Sequence, residues 1–216
     1  MELLEFARGP GLQIAITVLV LGTAWRLVNM LALPWGRRLT EPRASARRAG
    51  LATVFRRFWP LPGFQEGVRY GHLLGYISHL GLAAVVFGGT FHIELIESIT
   101  GLHWPSLPPI VITFSAAVAI AAFVALLIRR LTQPVLRMLS GWDDYFSWLV
   151  AVLPLVTGLA VAGGLGLRYE TLLALHILSA ELLLIWLPFG KLFHVFSFVP
   201  SRAFTGAHYG RRGVPA

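Results

Sequence analysis

The chain has 216 residues, 56% of them hydrophobic, a net charge of +8 and no cysteine, and its mean hydropathy is +0.70. This composition excludes a water-soluble domain and fits one bundle of roughly five membrane spans. The absence of cysteine excludes disulfides, cysteine-held iron–sulfur clusters, thiolate zinc sites and covalently attached haem. Any redox cofactor must therefore be held by histidine or by shape alone.

Five apolar segments follow one another along the chain, each long enough to cross a hydrocarbon core of roughly 30 Å as a helix. We predict spans at residues 10–33, 71–93, 108–128, 145–164 and 171–193. The predicted fold class is an all-α integral membrane protein, in which residues 1–216 form a single domain built as a bundle of five transmembrane helices. A proline-rich stretch precedes the second span, so residues 51–59 are expected to form a short interfacial helix.

The basic residues lie almost entirely on one side of this five-span arrangement. Eight arginines fall in the loop of residues 34–69, three in the loop of residues 129–144 and three in the tail of residues 195–216, whereas the opposite side has only Arg8 and Arg168. The positive-inside rule then places the N-terminus outside and the C-terminus in the cytoplasm. The charge therefore indicates topology and contact with membrane lipid, and nucleic-acid binding is not expected.

Four histidines in or beside the spans are the candidate cofactor ligands: His79, His92, His176 and His194. His176 and His194 are eighteen residues apart, which on one helix is five turns, so both would share a face at ~27 Å separation. That distance approaches the thickness of the hydrocarbon core, and ionisable residues in lipid are functional candidates by default. Two such nitrogens suit two redox cofactors, one near each membrane face.

The second and fifth spans run antiparallel in this topology, and two pairings of their histidines remain open. The first joins His79 with His194 on the inner side and His92 with His176 on the outer side. The second joins His72 with His194 and His79 with His176. The first is favoured, because its thirteen-residue offset on span 2 gives ~20 Å between two haem macrocycles, whereas seven residues give ~10 Å.

The favoured pairing has an angular difficulty on the second span. Thirteen residues rotate a side chain by roughly 220° on an ideal helix, so His79 and His92 would not share a face. Gly88 and Gly89 lie between them and allow a kink or local rewinding. The other three histidines are assigned to a span boundary, a loop and the tail: His72, His103 and His208.

The segment LHILSAELLLIWLPFGKLFHVFSF resembles the last span of the respiratory nitrate reductase gamma subunit family, which has an LH, a PF[ST][RK]LxH run at the same separation and an HxxS turn. The segment SHLGLAAVVFGGTFH is similar to the family's FHxGxxxxxxGH pattern at His79 and Gly81. Its second motif histidine falls on Gly89, and His92 is the nearest replacement. Span 4 shares the acidic start and a late TGL, whereas Ile112 stands where the family has a lysine after Leu–Pro.

The resemblance implies two b haems, an inner one held by His79 and His194 and an outer one held by His92 and His176. It implies a subunit that passes electrons between the quinone/quinol pool and a cytoplasmic iron–sulfur or molybdenum partner, in the cytoplasmic membrane of a prokaryote. The substrate chemistry would take place on that partner. The superfamily also includes haem b subunits associated with heterodisulfide reductase and dissimilatory sulfite reductase, so the terminal substrate and the direction of flow stay open.

Several charged residues have candidate roles in such a protein. The candidate counter-charges for haem propionates are Lys191, Arg69 and Arg26, and the candidate proton acceptors beside the outer haem are Glu94, Glu97 and His103. Glu181 lies in mid-span and must be paired or protonated. The competing interpretation is a histidine-lined proton or metal-ion transporter without haem, but carboxylates do not accompany the histidines at helical spacing.

Overall fold

The computed structural model describes residues 2–32, 41–60, 63, 65–164 and 166–214, apart from the side chains of residues 65–67. Every regular element in those ranges is helical. The elements are α1 (Leu3–Ala32), α2 (Ala46–Arg56), α3 (Gln65–Gly88), α4 (Thr90–Thr100), α5 (Pro109–Thr132), α6 (Pro134–Met138), α7 (Trp142–Gly163), α8 (Tyr169–Trp186) and α9 (His194–Arg211). Five of them, α1, α3, α5, α7 and α8, are long and apolar enough to cross a membrane. The predicted all-α fold with five spans is confirmed.

The chain divides into two compact units. The first consists of residues 1–17 and 70–186. It therefore contains nearly all of the membrane helices α3, α5, α7 and α8, and the first half of α1. The second consists of residues 18–69 and 187–216. Of the histidines, only His194 and His208 belong to the second unit.

The second span does not run through to residue 93, because α3 ends at Gly88 and a new helix, α4, begins at Thr90. Gly89 between them is extended, with φ −74° and ψ 130°. The carbonyls left at the end of α3 are paired, since Trp104 Nε1 donates to Phe87 O at 2.6 Å and Leu107 N donates to Gly88 O at 2.8 Å. Such pairing satisfies carbonyls that the end of a helix leaves without an intrahelical partner. At Gly88 and Gly89 the sequence predicts a kink or local rewinding, whereas the structure has a complete break of the helix.

The expectation that His176 and His194 lie on one continuous helix is wrong. Helix α8 ends at Trp186, and a turn and a 3₁₀ segment at Lys191–Phe193 precede α9, which begins at His194. Pro188 has no N–H to continue the helical ladder and its ring clashes with the preceding turn. Gly190 then adopts an extended backbone, with φ −89° and ψ −172°. The five-turn, same-face geometry therefore does not apply to this pair.

The core of the first unit lies where α5 and α7 meet, around three buried residues: Ala116, Ala119 and Leu155. Helix α3 approaches α5 closely at Gly81. A Cβ built on Gly81 would lie 2.8 Å from Ala119 Cβ and 2.9 Å from Ser115 O. Small residues at such crossings let membrane helices pack backbone to backbone.

We predict opposite effects for two glycine substitutions on α3. Gly81→Ala should destabilise the protein by about 1–3 kcal/mol, because the added methyl group meets backbone that cannot move cheaply. Gly75→Ala should leave stability unchanged or raise it, since a Cβ there meets nothing within 4 Å and alanine favours the helix. Thermal unfolding in detergent, followed by size exclusion, measures both; equal losses would contradict the close approach at Gly81.

Candidate functional site

The structure brings His92 and His176 together. Their ring centroids are 6.0 Å apart and their planes are inclined by 39°. His92 lies in the first turn of α4, and His176 lies in the first half of α8. Both belong to the first unit, so this neighbourhood is internal to one compact body. His92 and His176 form the outer pair in the favoured arrangement, in which His79 would join His194 on the inner side.

The imidazole of His176 is oriented by helix α7. Thr157 Oγ1 donates to Leu153 O at 2.8 Å, so its lone pairs remain to accept from His176 Nδ1 at 3.2 Å. Ser179 Oγ donates to the carbonyl of His176 at 2.7 Å and lies 2.9 Å from Thr157 Oγ1. With the hydrogen on Nδ1, the Nε2 atom of His176 keeps the lone pair that a metal ligand needs.

Gly158 gives the same ring room to lie against α7. A Cβ on Gly158 would lie 3.2 Å from His176 Cε1 and 3.4 Å from its Nδ1. The Thr-Gly pair of the TGL motif therefore has two physical tasks: Thr157 fixes the rotation of the ring, and Gly158 admits it. From sequence the motif shows only a likeness to the nitrate reductase gamma subunit family, and its signal is a threonine and a glycine side by side in an otherwise apolar span.

The break at Gly89 orients His92. The ring Nδ1 of His92 lies 2.9 Å from Val85 O, and a carbonyl can only accept, so Nδ1 carries the hydrogen. A Cβ on Gly89 would lie 3.1 Å from this Nδ1. The imidazole of His92 has thus folded back over position 89, where the nitrate reductase gamma motif has its histidine. Position 92 can present a ring there because the chain leaves the helix at Gly89.

His79 and His194 show the same orientation of the ring. His79 Nδ1 donates to Gly75 O at 2.7 Å, and His194 Nδ1 donates to Lys191 O at 3.0 Å. His79 belongs to the first unit and His194 to the second. Their pairing at an inner site stays a prediction. All four candidate ligands use Nδ1 for an oxygen of the protein.

The remaining histidines have other surroundings. His103 forms an exposed hydrogen bond with Glu97, in which Nδ1 and Oε2 are 2.8 Å apart. His72 meets the ring of Tyr76 edge-on at 5.3 Å, and His208 stacks on Phe204 at 6.2 Å. The expected cluster beyond His92 therefore contains one close contact, that between His103 and Glu97, while Glu94 is exposed on α4.

Glu181 is buried in α8, with 4% of its surface exposed. It lies against α1 at a π-helical turn, Ala7–Gly11, where Pro10 interrupts the ordinary ladder. A Cβ on Gly11 would lie 2.7 Å and 3.0 Å from the two carboxyl oxygens. Oε1 of Glu181 has no hydrogen-bond partner in the described part of the chain. The position of this carboxyl therefore depends on the absence of a side chain at Gly11.

Arg26 contacts the turn at Pro188–Gly190, which follows the end of α8. Its Nη1 donates to Pro188 O at 2.8 Å and lies within 3.4 Å of Phe189 O and 3.5 Å of Gly190 O. The guanidinium also stacks over Phe193, 4.2 Å from the ring centroid. Arg26 thus stabilises the turn that precedes His194. The other two candidate counter-charges, Lys191 and Arg69, are exposed.

Two further observations concern the position of the family's lysine and the binding of a metal ion by side chains alone. Ile112, in the position of the family's lysine, packs at the helix break, where its Cδ1 lies 3.1 Å from a Cβ built on Gly88. Within the residues that the structure describes, no group of three or more His, Cys, Asp or Glu side chains could hold a metal ion.

The fold defines a multi-pass helical membrane protein. No family model matches the chain, and no solved structure matches it. A protein of the bacterium Nitratidesulfovibrio vulgaris (strain Hildenborough), described only as "Protein", is 33% identical over 139 residues. The aligned region covers 64% of this chain and 61% of that relative, so the match spans less than two thirds of either protein.

We predict that Thr157→Val destabilises the protein by about 1–2 kcal/mol, because the isosteric change removes the contacts of the Thr157 hydroxyl with His176 and Ser179, which link α7 to α8. Thr113→Val is the matched control, since the exposed Thr113 hydroxyl bonds only its own helix, at Pro109 O. Unfolding temperatures of both variants in detergent test the difference. Indistinguishable values would mean that the Thr157 network contributes nothing.

Proposed function

We propose that this protein is a di-haem cytochrome b subunit that passes electrons between the quinone/quinol pool and a cytoplasmic partner. The observation that carries the proposal is the pair of His92 and His176, with centroids 6.0 Å apart. A metal bound by two imidazole nitrogens at about 2.0–2.1 Å each would hold two ring centroids roughly 6 Å apart. The observed spacing therefore suits one iron between these two rings.

The residues around the pair also fit such a group. Each ring has its Nδ1 engaged, His92 with Val85 O and His176 with Thr157 Oγ1, which leaves Nε2 for coordination. A second hydrogen bond of this kind is the usual way in which proteins orient a metal-binding histidine. When bound between two histidines, a b-type haem carries one electron and offers no open iron position. The protein's part is then to fix both rings and exclude other ligands.

An inner haem held by His79 and His194 belongs to the same proposal. It is supported by the likeness of both segments to nitrate reductase gamma subunits and by the matching Nδ1 bonds, to Gly75 O and to Lys191 O. Arg26 and the turn from Pro188 to Gly190 would hold His194 in place.

The partner and the location follow from the topology. By the positive-inside rule the basic loops favour a cytoplasmic C-terminal tail, and the relative in a bacterium supports a prokaryotic membrane. The five membrane helices take up most of the described chain, so the partner, an iron–sulfur or molybdenum subunit, would carry the substrate chemistry.

The first test is the haem itself. The purified protein should show a reduced-minus-oxidised band of b type, and pyridine haemochrome should count two haems per chain. His176→Ala and His92→Ala should each lower the count to one, because each removes one ligand of the outer iron. His208→Ala, which changes a ring stacked on Phe204, should leave two. A chain without any haem b band would exclude the proposal and leave the histidine-lined transporter as the alternative.

A second prediction concerns Thr157 as a positioning residue. Thr157→Val should raise the reduction potential of one haem by an amount on the order of tens of millivolts, because an axial histidine that loses a hydrogen-bond acceptor at Nδ1 is a weaker base. Thr157→Ser keeps a hydroxyl and should keep the potential. Redox titration followed at the haem band measures both, and an unchanged potential in Thr157→Val would argue against His176 as a ligand.

Electron exchange with quinol needs its own measurement. A soluble quinol analogue should reduce the haems of the purified protein, or the reduced haems should be oxidised by the corresponding quinone. Glu94→Gln and Glu97→Gln test whether these acids accept protons at that step. If both single variants keep the full rate of quinol-driven reduction, neither acid is the acceptor.

A further inference from the structure

Two helices of the second unit, α2 and α9, pack into a tight pair, which we call the basic helix pair. A Cβ on Gly50 of α2 would lie 2.8 Å from Ala203 O of α9. Likewise, a Cβ on Gly206 would meet Thr53, and one on Gly210 would meet Ala49. Gly206 and Gly210 form a small-xxx-small spacing, which lets two helices approach closely.

Polar contacts join the two helices at both ends. Arg43 N donates to Arg211 O at 2.8 Å, and Arg202 Nη1 donates to Val54 O at 3.3 Å. The guanidinium of Arg202 also lies 4.9 Å from the ring centroid of Phe58. The two helices of the basic helix pair are therefore packed and hydrogen-bonded to each other.

The outer face of α2 is apolar. Leu51 and Phe55 lie one turn apart on α2, Trp59 follows in the bend just beyond the end of the helix, and 65%, 71% and 74% of their surfaces are exposed. The four-residue spacing puts Leu51 and Phe55 on the side of α2 opposite the one that packs on α9 through Gly50 and Thr53, and we call these two residues and Trp59 the apolar stripe. An exposed stripe of large apolar side chains marks a surface that meets another apolar medium.

Arginines surround this stripe. Arg47, Arg48 and Arg56 are exposed on α2. Residues 41–60 contain five arginines and residues 191–214 contain four basic residues, against a single acid, Glu41. An apolar stripe with arginine around it is the pattern of a helix that lies in the headgroup region of an anionic bilayer.

The basic helix pair is also attached to a membrane helix. Phe193, the residue before α9, lies under the guanidinium of Arg26 in α1. Gly22, one turn earlier in α1, lies against Pro188, where a Cβ would be 2.9 Å from the proline ring. All of these residues belong to the second unit. The start of α9 is thus held against a helix that is long and apolar enough to span the membrane.

We propose that the basic helix pair lies on the bilayer surface, with Leu51, Phe55 and Trp59 inserted among the lipids and its arginines bound to anionic phospholipid headgroups. The occupant of the surface is a lipid bilayer. The charge, the apolar stripe and the attachment to α1 all suit it, and the inference does not depend on haem.

Site-directed spin labelling tests this in the full chain, which has no native cysteine. Phe55→Cys and Trp59→Cys report on the stripe, and Ser201→Cys, on the exposed side of α9, is the control. The labelled proteins are placed in nanodiscs of phosphatidylcholine, or of phosphatidylcholine with about a quarter phosphatidylglycerol. Collisions of the spin label with oxygen then report apolar surroundings, and collisions with a water-soluble nickel chelate report aqueous surroundings.

With phosphatidylglycerol present, the oxygen-to-nickel collision ratio should be roughly threefold or more higher at both stripe positions than at Ser201→Cys. It should fall towards the control value in phosphatidylcholine alone, in high salt, and when Arg47→Gln and Arg48→Gln are combined. Two stripe reporters guard against one label disturbing the fold.

Three results would overturn the proposal. Aqueous access at both stripe positions in both lipids would show that the apolar stripe is not inserted in the bilayer, and a protein partner would then be the alternative occupant. Spin–spin broadening between labels would indicate a second copy of the chain. Burial that is equal in both lipids and insensitive to salt would show insertion without recognition of anionic headgroups.

Discussion

The structure depends on one constraint, which is that a backbone carbonyl left without its helical partner must find another donor. Two of the membrane helices end at Gly88 and at Trp186, and the chain at or just after each end has carbonyls outside the helical ladder. At the first, Trp104 and Leu107 supply the donors. At the second, the donor is Arg26, a charged residue that would otherwise be costly inside a membrane helix.

The histidines belong to the same system of pairing. His92 Nδ1 donates to Val85 O near the first helix end, and His194 Nδ1 donates to Lys191 O near the second. A histidine whose Nδ1 donates to a carbonyl has a fixed tautomer and a fixed ring orientation. The carbonyls near the two helix ends therefore also orient two of the four candidate rings.

Glycine decides where rings and helices approach each other. Gly158 and Gly89 admit the imidazoles of His176 and His92, and Gly11 admits the carboxyl of Glu181. Gly50 brings α2 and α9 together in the second unit. Because a membrane gives no hydrophobic drive for one apolar helix to prefer another, close packing at small residues carries much of the specificity.

The sequence by itself determined the number and class of the helices, since hydropathy and length report directly on the transfer of a segment into lipid. It also singled out His92 and His176 as outer candidates, because imidazoles in apolar segments are rare. Only the tertiary structure decided that α8 stops before His194, that His92 folds back over Gly89, and that Thr157 and Gly158 hold the ring of His176. Those features depend on pairing between segments distant in sequence, such as Arg26 with Pro188, and hydropathy does not encode which distant donor meets a given carbonyl.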